Sequence, residues 1–262
     1  MKRFITLAAA LAAFTAATPA FAQLWDNGAQ GNGTLITHPN GMTGAAAGAH
    51  RSAISTPGSS TFGSGAAGTI RLADNFTVTG LGWNISSFQF FGYLTGATTP
   101  GATALTLRIW DNTPGAAGSN IIFGDTTTNV LTSTGWAAGP GGAGIYRTTG
   151  TDTTGTTRRV QELTANVNLT LGPGTYWVDF SYTGVSFTPP LSAVGGLPPA
   201  GDAVQLTAGG WGPALDNGGA GPQLDFPFII QGTVIPEPGT YALLVVGGLA
   251  MVAAARRRRR AN

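Results

Sequence analysis

The chain has 262 residues, 42% hydrophobic and only 9% charged, with 41 Gly, 16 Pro and no Cys. Its formal charge of +2 is misleading, because Lys2, Arg3 and Arg256–Arg260 place seven of the thirteen cations at the ends, while between Gln23 and Ile235 ten acids face six arginines. The middle is therefore acidic and free of lysine, which excludes a nucleic-acid partner. The missing Cys excludes disulfide staples, thiol catalysis and thiolate metal sites.

In chain order, Met1-Lys2-Arg3 is followed by an apolar run to Ala17 and then by Ala20-Phe21-Ala22. A positive start, an apolar core and a small-x-small site predict a secretory signal helix over 1–22, cut after Ala22. Residues 23–68 are rich in Gly, Ala and Ser, with turn signals at Asp26-Asn27-Gly28 and Asn40-Gly41. They predict a short strand near Leu24-Trp25 and then a long, loosely held segment.

Residues 69–235 read as one all-β domain. Leu105, Leu107 and Ile109 alternate with Thr106, Arg108 and Trp110, and Tyr176, Val178, Phe180 and Tyr182 alternate with Trp177, Asp179 and Ser181. Val167, Leu169 and Leu171 do the same. Period-two patterning buries one set against a core and turns the other away. Further β-rich runs at 69–80, 84–94, 119–124, 127–133, 144–149, 202–208 and 224–235, split by Gly, Pro and Asn, predict an antiparallel β-sandwich of jelly-roll type. The expected core includes Ile70, Leu72, Phe76, Phe88, Phe90, Leu105, Leu107, Ile109, Val167, Leu169, Tyr176, Val178, Phe180, Phe228 and Ile230.

Catalytic signatures are weak. His38 and His50 lie in the Gly-rich opening and read as solvated loop residues, without HExxH spacing. Gly139 to Gly144 matches G-x-G-x-x-G formally, but Ile145-Tyr146-Arg147 after it reads as a strand where a dinucleotide site needs a helix. Glu162 is the only Glu between the ends, beside Arg158 and Arg159, and reads as a solvated strand end. The Asp residues are scattered, and Asp111-Asn112 and Asp216-Asn217-Gly218 are single turns, so no metal site, cofactor or catalytic residue is expected. A binding surface is better supported. Trp110 and Trp177, out of phase with the core sets and accompanied by Arg108 and Asp179, form a candidate carbohydrate-facing patch.

The C-terminus carries the sharpest signal. Pro236-Glu237-Pro238 ends the last β run, Tyr241–Ala255 is apolar, and Arg256, Arg257, Arg258, Arg259 and Arg260 follow. Fifteen apolar residues span about 22 Å as a helix, short of the roughly 30 Å hydrocarbon core. Such a stretch predicts a marginal transmembrane helix over 241–255 with a cytoplasmic basic stop.

This segment, 236–262, resembles the PEP-CTERM sorting signal of Gram-negative bacteria. The resemblance implies an exosortase-type membrane processing enzyme as partner, with Pro236, Glu237 and Pro238 as the sorting motif and Arg256–Arg260 as the basic cluster. It also implies export through the inner membrane to the cell surface or matrix, in a setting of exopolysaccharide and biofilm production. LWDNG, LADNFTV (Leu72–Val78), LTLRIWDNTPG (Leu105–Gly115) and LTLGPGTYWVDF (Leu169–Phe180) look like the β-sandwich ectodomains often fused to such signals. The expected function is an exported, non-catalytic surface or matrix protein. The alternative is a secreted carbohydrate-binding or glycosidase-like protein: paired carboxylates in a cleft would favour the enzyme, and a flat Thr/Asn-rich face the structural role.

Overall fold

The computed structural model describes residues 22–28, 38–39, 48–52, 63–139, 142–148, 155–191, 201–216, 221–237, 239, 247–248 and 251–258. The expected signal helix before Ala22, Pro238, Arg259 and Arg260 lie outside the described residues.

Two antiparallel sheets make up most of the protein. The first has five strands in the order β1 (Ala22–Asp26), β16 (Phe228–Val234), β6 (Trp83–Gly92), β11 (Gln161–Leu171) and β9 (Leu131–Trp136). The second has six: β15 (Gly210–Pro213), β14 (Val204–Thr207), β5 (Arg71–Val78), β12 (Gly174–Thr183), β7 (Ala104–Trp110) and β8 (Ile121–Gly124). A small third sheet joins β10 (Ile145–Arg147), β3 (His50–Ser52) and β2 (His38–Pro39), with β10 and β3 parallel. A two-stranded ribbon pairs β4 (Ser64–Gly65) with β13 (Phe187–Thr188).

The two large sheets share one core. The inward set of the first, Trp83, Ile85, Phe88, Phe90, Leu163, Ala165, Phe228 and Ile230, meets Leu72, Phe76, Val78, Leu105, Leu107, Ile109, Val178 and Phe180 of the second. Aromatic contacts bridge the layers, with Phe90 and Phe180 ring centroids 4.5 Å apart and Phe76 edge-on to Phe88 at 6.0 Å. Each fully buried Phe contributes about 1.5–3 kcal/mol of transfer free energy, so this aromatic layer carries the stability that disulfides would otherwise supply. A second cluster, Phe91, Ala137, Ile145, Val160 and Ile229, forms behind the first sheet where β10 lies across it.

Two expectations are corrected and a third finds no support among the described residues. Ile70 is 37% exposed, because it precedes β5 in the turn after Gly68 and never enters the alternating run. His50 is a half-buried member of β3, and His38 lies in β2, so the opening segment supplies strands where solvated loops were expected. At the C-terminus, among the described residues no helix is long and apolar enough to cross a membrane. Helical backbone there runs over 251–258, past Ala255 into the exposed Arg256, Arg257 and Arg258, and most of 241–250 lies outside the described residues. The expected transmembrane helix over 241–255 is not shown.

Candidate functional site

The register of β12 against β7 sets Trp177 opposite Trp110 and Asp179 opposite Arg108. The four residues of the expected carbohydrate patch are thus brought together on the outer face of the second sheet, as their alternation requires. Two of them, Trp177 and Asp179, are buried, while Trp110 and Arg108 are partly exposed. Asp179 is completely buried, Trp177 is 6% exposed and packs with Ala73 and Val204, and Trp110 and Trp211 close over that cluster. The Trp110 and Trp211 rings meet edge-on at 6.2 Å. Gly115, in the loop between β7 and β8, reaches over to Trp211 with φ +83°, where a Cβ would come within 2.8 Å of the Trp211 Cβ. Only a glycine gives both that backbone angle and that approach. A second-layer aromatic cluster therefore buries Trp177, while Trp110 and Arg108 keep part of their surface open.

Beneath it Asp179 is saturated. The Arg71 Nε donates to its Oδ1, the Arg108 Nε donates to Oδ2 at 2.6 Å, and the Trp110 indole N–H donates to the same Oδ2 at 2.9 Å. Arg71 also donates to the Thr106 hydroxyl at 2.8 Å and the Thr106 carbonyl at 3.2 Å, while the Arg108 guanidinium stacks 5.0 Å from the Trp110 centroid. Burial pulls the Arg71 pKa down, against the opposing pull of the Asp179 carboxylate. The cluster is a closed ionic staple between β5, β7 and β12.

An unexpected site lies at the other end of that carboxylate's neighbour strand. Asp74 on β5, Asp202 just before β14 and Asp225 just before β16 bring carboxylate oxygens within 4.8 Å of one another. Asp74 is buried, Asp225 partly so and Asp202 exposed. The Phe226 backbone N–H donates to Asp74 Oδ2 at 2.7 Å, the Asn27 side-chain amide at 3.1 Å, and the Asn75 N–H donates to Oδ1 at 2.8 Å. The Asp202 N–H donates to Asp225 Oδ1 at 2.9 Å, and the Asn75 side chain donates to Asp202 Oδ2. Burial raises all three carboxyl pKa values, that of Asp74 furthest, where the Asp225 carboxylate adds to the effect. An all-oxygen donor set suits a hard divalent cation, and without one burial and mutual repulsion favour the protonated forms. The spacing 74, 202 and 225 matches no motif, which is why the sequence reading missed it. One signal was present: Asp74 is in phase with Leu72, Phe76 and Val78, an acid at a core position.

Two other expected features can be placed. Glu162 is half-buried on β11, hydrogen-bonded by the Gln89 side chain and the Ala138 N–H, and burial raises its pKa. Arg159 is not its partner but stacks against Trp136 at 4.9 Å and Tyr146 at 5.8 Å. Pro236 and Glu237 come one residue after β16, and Glu237 is exposed.

The outer face of the first sheet is uncharged over most of its width. One cross-strand row runs Gln23, Gln231, Ser87 and Asn166, a second Asp26, Ile229, Gln89, Thr164 and Ser133, and a third Thr233, Asn84 and Thr170. The Thr170 hydroxyl bonds Asn84 Oδ1 at 2.8 Å. Compared with protein-family models, curated proteins and solved structures, the chain matches none.

Proposed function

We propose that the protein is an exported, non-catalytic surface or matrix component whose two ends are membrane-directing signals: a signal peptide removed after Ala22, and a PEP-CTERM-type tail read by an exosortase-type enzyme. The supporting observation is where the folded body begins and stops. β1 starts at Ala22, the expected cleavage position, and β16 ends at Val234, two residues before Pro236. Apart from Ala22, which opens β1, the described strands thus lie between the two expected signals. In this reading the apolar stretch 241–255 crosses the inner membrane as a short, transient helix, and Arg256–Arg260 hold its end inside. The two polar, uncharged rows through Gln231 and Asn84 on the first sheet suit a packing or glycan-contacting surface better than a reaction centre.

The carbohydrate-active alternative keeps one supporting observation, the carboxylate trio. Two of its members are committed to backbone N–H donors, which favours a structural part for them.

Fractionation with intact-mass analysis of the mature chain tests the main reading. The expected chain begins at Gln23 and lacks Arg256–Arg260. A full-length C-terminus in normally sorting cells refutes it.

A further inference from the structure

The first strand of the chain pairs with the last. β1 is an edge strand whose neighbour is β16, and the register sets Ala22 opposite Gly232 and Gln23 opposite Gln231. The bond that N-terminal processing would cut, Ala22–Gln23, therefore lies at the exposed N-terminal end of a paired edge strand.

That strand is held from several sides. Leu24 and Trp25 pack against the main core, and a Cβ added at Gly232 would come within 2.9 Å of Leu24 Cδ1. The Asn27 N–H donates to the Phe228 carbonyl at 2.9 Å, and its side-chain amide donates to the Phe226 carbonyl at 2.8 Å. A peptidase takes its substrate as an extended strand with free edges, so a bond already committed to a sheet has to undock first. Undocking here exposes an indole and a leucine together, which makes the open form rare.

Export runs from the N-terminus, so residues 228–234 emerge last of all the strands. β1 has no partner until they arrive. We propose that β1–β16 pairing sets a deadline for N-terminal processing: the Ala22–Gln23 bond is cut while the body is still crossing, and becomes resistant once β16 folds. The cut is an ordinary hydrolysis. A water oxygen bonds to the Ala22 carbonyl carbon, the C–N bond breaks, and the Gln23 nitrogen leaves as an amine while Ala22 keeps the carboxylate. The proposal rests on the export reading above and adds an order of events to it.

The test uses the full-length precursor, purified folded in detergent and treated with a bacterial signal peptidase. Folded wild-type precursor should be cut about a hundredfold more slowly than the same chain unfolded in urea and diluted into the assay, or than a Trp25→Asp/Asn27→Ala variant with β1 undocked. In a Gln23→Cys/Gln231→Cys variant, oxidation should slow the cut further, and a reductant should restore the wild-type rate. This second variant keeps the test decisive if the undocked one misfolds, and the chain holds no other Cys to confuse it. Equal rates for folded, unfolded and crosslinked precursor overturn the deadline but leave the signal peptide standing. An unfolded precursor that is not cut between Ala22 and Gln23 overturns both.

Discussion

Asp179 sits among two guanidiniums and an indole N–H, whereas Asp74, on the adjacent strand of the same sheet, meets amide N–H groups and two further carboxylates. Both side chains are buried. The difference follows from phase. Asp179 is out of phase with Val178 and Phe180, so it points to the outer face, where Arg71 and Arg108 from the flanking strands reach it diagonally and directly. Asp74 is in phase with Leu72 and Phe76, toward the end of the core, where backbone N–H groups and the Asn27 amide are the donors at hand. One site answers a buried charge with countercharge; the other answers it with dipoles and with a pKa raised toward neutrality.

Removing the countercharged acid should have the largest effect. Asp179→Ala strands the buried Arg71 beside Arg108, and removing one partner of such a pair costs about 3–5 kcal/mol. Urea unfolding measures this, and a variant as stable as the wild type would mean that the staple is replaceable by solvent.

The trio should give an unusual pH dependence. Carboxyls raised by folding contribute stability that is complete below the ordinary carboxylate range and is lost as pH rises through their elevated folded values. Asp125 works in the other sense: bonds from Thr128 and Thr127 hold its pKa down, so its contribution is present above the ordinary Asp value and lost as pH falls. Urea midpoints followed from mildly acidic to neutral pH should therefore fall in the wild type and be flatter in Asp202→Asn/Asp225→Asn. Parallel curves would remove the trio from the comparison.

The smallest expected effect is that of Asp202→Asn alone. Exposure screens this carboxylate, so relieving its repulsion should stabilise the protein at neutral pH by less than about 1 kcal/mol, and not at all in acid. Thermal unfolding at the two pH values checks the sign.

How far these sites were legible depends on whether local pattern or long-range register creates them. The alternations in β7 and β12 identified both the core set and the outward Trp110, Trp177, Arg108 and Asp179. What alternation does not reveal is what lies over an outward face, and here Trp211 and the Gly115 loop convert it into a second layer. Glu162 was misread because the first residues of β11, Gln161 to Ala165, hold a single large apolar residue, Leu163, and so show little period. Their place beside Gly92–Phe88 is fixed by pairing with β6, not by their own hydrophobicity. The strands of the third sheet are two or three residues long, too short to show any period. The carboxylate trio joins strands whose proximity is set by the order β14–β5 and by Phe226 reaching Asp74.

The pairing of Ala22 with Gly232 has a mechanical consequence. Both ends of the body leave the first sheet at the same end of two adjacent antiparallel strands. A pull between those ends would load the β1–β16 hydrogen bonds one after another, like a zipper, and not all together in shear. The domain is built to resist a load poorly between its ends, and so is suited to being held by one of them alone.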